Sequence, residues 1–113
     1  MINVSAIIGA AKVVLSAFWA ALRDFVLDAV RKVSKVLSGA AVDAVNLFVQ
    51  ESSDGLHEIA YNYIKDGERY LEKVAKKRIN EGDLPKNIKS RLKKSSGEEI
   101  DITNDFAREL NLS

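Results

Sequence analysis

Apolar positions recur every three or four residues along the first part of the chain, through Val4, Ile8, Ala11, Leu15, Phe18, Leu22, Phe25, Ala29, Val33 and Val36. This spacing draws one stripe along an α-helix. The opposite side is small at Ser5, Gly9 and Ser16 and charged at Arg23, Asp24, Asp28, Arg31 and Lys35, so the helix grows more polar toward its end. Ser38 and Gly39 offer a stop, since glycine enters the left-handed cap conformation without steric cost. The apolar series resumes at Ala41, Val45, Phe48 and Val49, and residues 1–52 read as one apolar, amphipathic helical region.

Length argues against a single straight rod. A helix over residues 3–38 would run roughly 54 Å, whereas a domain of this size has a radius of gyration of about 13 Å. Either the helix breaks near Gly9 or Ser16, or it projects and another surface covers it.

The stretch "ESSDG", Glu51 to Gly55, is a stronger break, with Ser53 or Asp54 placed to cap a second helix. Residues 56–81 then read as a charged amphipathic helix, with Leu56, Ile59, Ala60, Tyr63, Tyr70, Leu71, Val74 and Ile79 inside and Glu72 four residues before Lys76 outside. Tyr61 and Tyr63 cannot both point inward from such a helix, so one of them is expected outside. "NEGDLPKN" opens a short basic helix over 83–94, with Asp83 as cap and Pro85 in its first turn. Residues 95–113 form an acidic tail in which "EIDIT" alternates like a short strand and Thr103 or Asn104 caps a final turn.

These elements predict a mainly α fold: a small helical bundle or hairpin, residues 1–113 as one domain, with a long amphipathic N-terminal helix and a short extended or helical tail. Composition agrees with a folded chain, at 47% apolar and 29% charged residues among 113. Cysteine is absent, which removes disulfides, thiolate metal sites and cysteine nucleophiles. No basic leader precedes the apolar run, so the expected location is the cytoplasm, with a peripheral membrane position as the variant.

Net charge is +1, unevenly spread. Residues 1–55 balance to zero, residues 56–97 sum to +5, and residues 98–113 sum to −4. The cations Lys86, Lys89, Arg91, Lys93 and Lys94 form a candidate anion-binding cluster, for nucleic acid or anionic headgroups, unless the acidic tail neutralises it. No nucleic-acid motif surrounds the cluster, and no aromatic residue lies between Tyr70 and Phe106 to stack on bases.

Catalytic chemistry finds little footing. "HEIAY", His57 to Tyr61, starts like a zinc-protease helix, but Tyr61 stands where the second histidine ligand belongs and the chain has no other histidine. No metal, cofactor or enzymatic activity is expected. The leading expectation is a non-enzymatic interaction protein, self-associating or binding a protein partner through Leu15, Phe18, Trp19, Leu22 and Phe25. Trp19 is the expected anchor. Two alternatives remain: association of the same face with a membrane surface, and nucleic-acid binding by the basic cluster within 76–94.

Overall fold

The computed structural model describes residues 1–36 and 41–112, and the stop expected at Ser38 and Gly39 lies outside them. A short strand β1 (Ile2–Asn3) leads into α1 (Val4–Gly9) and then α2 (Ala17–Val36). Three long strands follow, β2 (Val42–Ser52), β3 (Gly55–Asp66) and β4 (Arg69–Arg78). A single 3-10 turn (Glu81–Asp83), α3 (Lys86–Lys93), β5 (Ile100–Asp101) and α4 (Thr103–Glu109) complete the chain.

The protein is therefore a mixed α/β fold with a five-stranded antiparallel sheet, and not a helical bundle or hairpin. The largest correction falls on residues 56–81, expected as one helix and found as most of a β-hairpin, followed by the 3-10 turn. Residues 42–52, expected as the end of the N-terminal helical region, form β2.

Two tight turns produce the strands. Ser52 pairs with Gly55 and Asp66 with Arg69, leaving two residues between partners at each corner. Gly55 and Gly67 hold φ of 110° and 65°, a region that costs an L-residue dearly, and so an Asp-Gly pair stands at each corner. Strand order is β1-β2-β3-β4, with β5 also pairing with β2.

The long N-terminal helix resolves its length problem by breaking between Gly9 and Ala17. The Arg23 guanidinium donates to the Val13 carbonyl at 3.0 Å and pins the connection. At 20 residues, α2 is about 30 Å long and fits a molecule measuring 40 × 32 × 20 Å. The thin dimension accommodates one sheet and one layer of helices.

The four helices among the described residues share one core with one side of the sheet. Phe18, Trp19, Leu22 and Val26 of α2 meet Val45, Leu47 and Val49 of β2 and Leu56, Ala60 and Ile64 of β3. Ile88 and Leu92, one turn apart on α3, and Phe106 and Leu110 at α4 enter the same cluster. The tail is thus part of the core. Asp105, almost fully buried, receives Arg91 at 2.9 Å and Arg108 at 2.8 Å, while Arg91 also donates to the Asp101 carbonyl at 2.6 Å. These contacts tie α3 to α4.

Candidate functional site

Alternation along β3 assigns its side chains to two faces. Leu56, Glu58, Ala60, Asn62 and Ile64 lie on the helix-covered face and are buried. His57, Ile59, Tyr61, Tyr63 and Lys65 lie on the other, so Tyr61 and Tyr63 share a face.

Pairing with β2 and β4 places rows of side chains across this outer face. Asn46, Tyr61 and Val74 form one row, Phe48, Ile59 and Lys76 the next, and Gln50, His57 and Arg78 the one beyond. In the other direction come Ala44, Tyr63 and Glu72, then Lys65 with Tyr70. Among the described residues no helix of the core cluster lies on this side, although Ile59 is itself fully buried. Tyr70 is 55% exposed and Val74 51%, large apolar surface for a folded chain to leave in water.

The half-buried members are locked in place. Phe48 and Tyr61 meet edge to face with ring centroids 5.2 Å apart. The Tyr61 hydroxyl donates to Glu99 at 2.5 Å, and the carboxylate's acceptor oxygen pushes the phenol up to about 12. Gln50 donates to the Gly97 carbonyl at 2.9 Å, so the segment before β5 supports the β2 side of the face.

A second feature lies on the helix-covered side. Glu58 is 1% exposed, and its Oε1 has no hydrogen-bond partner. Burial raises its carboxyl to about 7, against a smaller opposing pull from the Lys77 ammonium. Glu58 lines an open cleft of about 600 Å³ between the start of α2 and the end of β4. Phe18, Ala21, Lys77, Arg78, Asn80 and Asp83 are among the other walls.

Residues singled out in the sequence land elsewhere. Phe18, Trp19 and Leu22 are buried against the sheet, and Leu15 and Phe25 pack on the rim of the same core. Trp19 stacks on Phe106, with centroids 6.3 Å apart and planes at 22°. The stripe expected to receive a partner or a membrane is the inner face of α2. Of the basic cluster, Lys86, Lys93 and Lys94 are exposed and Lys89 is partly so, whereas Arg91 is bound to Asp105.

Among the described residues no group of three His, Cys, Asp or Glu side chains could hold a metal, and no helix is long and apolar enough to cross a membrane. Both the outer face and the cleft escape sequence reasoning, since each joins residues from different strands. Compared with models of known protein families, with characterised proteins and with solved structures, the chain matches none.

Proposed function

We propose that this is a non-enzymatic, self-associating protein whose contact surface is the outer sheet face, with a second copy as the occupant. The observation that carries this reading is the self-complementary order of the rows. A two-fold axis along the row Asn46, Tyr61, Val74 brings the row Phe48, Ile59, Lys76 over Ala44, Tyr63, Glu72 of the other copy. The Phe48 ring then faces the small Ala44, and the Lys76 ammonium faces the Glu72 carboxylate. One row further out, Arg78 comes over the Tyr70 ring, a favourable cation–π pairing.

The face spans on the order of 15 × 33 Å, or about 500 Å² per copy, below the roughly 800 Å² of a standard interface. Such an area fits a weak dimer that dissociates on dilution. Molar mass by light scattering across a dilution series tests it. The expected result is a mass moving from twice 12.5 kDa to the monomer on dilution, and a Val74→Asp variant that stays monomeric with unchanged thermal stability. A wild type that is monomeric throughout, or a Val74→Asp variant that still dimerises, overturns the reading.

Single-stranded nucleic acid on the same face is a second reading, favoured by Tyr63 and Tyr70 standing beside Lys65, Lys76 and Arg78. It carries less weight because Glu72 and Glu99 share the surface. Salt-sensitive retention of an oligonucleotide by the monomer, lost in Tyr70→Ala, would move the assignment to it.

A further inference from the structure

The Glu58 cleft is independent of the outer face and holds a different kind of opportunity. Glu58 lines it with one oxygen partnerless, as is Asn62 Oδ1 further along β3 outside the cleft, whereas buried polar atoms ordinarily find a partner. The walls divide by chemistry. Glu58 and Asp83 supply acids, Lys77 supplies a base, and Phe18 and Ala21 supply apolar surface, while the Arg78 guanidinium lies by Gly55 on the outer face. A ligand carrying only an ammonium group would satisfy Glu58 but be repelled by Lys77. One carrying only a carboxylate would find Lys77 and leave Glu58 as it is.

We propose that this cleft binds a small zwitterion, a free amino acid with an apolar side chain, its ammonium group donating to Glu58 and its carboxylate lying toward Lys77. The apolar part packs on Phe18 and Ala21. Glu58, buried and poorly solvated, is partly protonated near neutrality and must give up its proton when it accepts the ligand's ammonium. Ligand binding is therefore coupled to proton release.

Isothermal titration of the full chain with leucine, leucinamide and N-acetylleucine tests the proposal. Leucine is expected to bind at least tenfold more tightly than either derivative, since one lacks the carboxylate and the other the ammonium. Near pH 7 the observed heat should vary with the buffer's ionisation enthalpy, reporting a fraction of a proton released per leucine bound. That dependence should vanish in Glu58→Gln, together with at least tenfold in affinity. Ala21→Leu, which fills the cleft from α2 and leaves Glu58 intact, is expected to abolish binding as well. Absence of leucine binding, equal binding of either derivative, or full binding by either variant overturns the proposal. None of these results depends on the oligomeric state.

Discussion

The backbone N–H of Leu47 donates to the Thr103 hydroxyl at 2.9 Å, and that hydroxyl lies 3.2 Å from the Leu47 carbonyl, which it can reach as a donor. Leu47 is the middle of the outer edge of β2, where β1 pairs at Ala44 and Val45 and β5 pairs at Phe48 and Val49. Neither short strand reaches Leu47 with its own N–H and C=O pair. The Ile102 N–H, at 2.9 Å from the Leu47 carbonyl, and the Thr103 side chain fill the gap. Thr103→Val keeps the shape and removes the acceptor, leaving a fully buried N–H unpaired. Denaturant unfolding should show a loss of about 1–3 kcal/mol, whereas Thr103→Ser should retain most of the stability.

Glu58 makes stability depend on pH in the direction opposite to an ordinary carboxylate. Its folded-state value of about 7 lies above its ordinary 4.5, so the folded chain binds more protons than the unfolded one between those limits. The contribution is therefore present at low pH and lost as pH rises through 7. At pH 8, Glu58→Gln should be more stable than wild type by on the order of 3 kcal/mol, and below pH 4.5 the two should converge. Thermal melts of both proteins across this range provide the check.

Asp105 is nearly buried while its partners are not, since the Arg91 and Arg108 side chains are 42% and 65% exposed. The carboxylate is the member that cannot return to water. Asp105→Ala should cost on the order of 2 kcal/mol, since it removes charged hydrogen bonds at a buried position. Arg108→Ala should cost under about 1 kcal/mol, as expected for an exposed partner. Urea midpoints for the two variants distinguish the cases.

The proposed two-fold pairing of Lys76 with Glu72 predicts a charge-exchange result. Glu72→Lys alone and Lys76→Glu alone should each weaken the dimer several-fold by placing like charges together, and the double exchange should restore it. Sedimentation equilibrium on the three proteins is the measurement. Recovery in the double variant is expected only if these two positions meet across the axis.

The helical part of the fold was partly legible. The α2 stripe through Phe18, Leu22 and Ala29 is the buried stripe of the structure, and the Pro85 start precedes α3, whose Ile88 and Leu92 are buried. The sheet was not. On β3 the alternation that marks a half-buried strand should read apolar at every second position, but Glu58 and Asn62 occupy two of the inward positions. Ile59 and Tyr61 meanwhile stand on the outward side. These exceptions leave Leu56, Ile59, Ala60 and Tyr63 with helical spacing, which predicts a helix. The clearer signal was the Asp-Gly pair at Asp54–Gly55 and again at Asp66–Gly67, which marks tight hairpins. Helical spacing gives Asp54 a capping role and runs the second helix through Gly67, which conceals the strands. With them went the outer face and the cleft, since Lys77 comes beside Glu58 and Lys76 beside Ile59 only through strand pairing.

The shared edge of β2 also orders the events of folding. The β2–β3 and β3–β4 hairpins close between neighbours in the chain and can form early. The edge at Val45, Leu47 and Val49 must wait for Ile2 from one direction and Ile100 to Thr103 from the other. Until both arrive, a strand rich in β-branched and apolar residues presents its unpaired backbone to any other nascent chain. The hazard of misassembly in this molecule is thus concentrated in the interval before its two ends are fastened, and a chain truncated before Thr103 would never leave it.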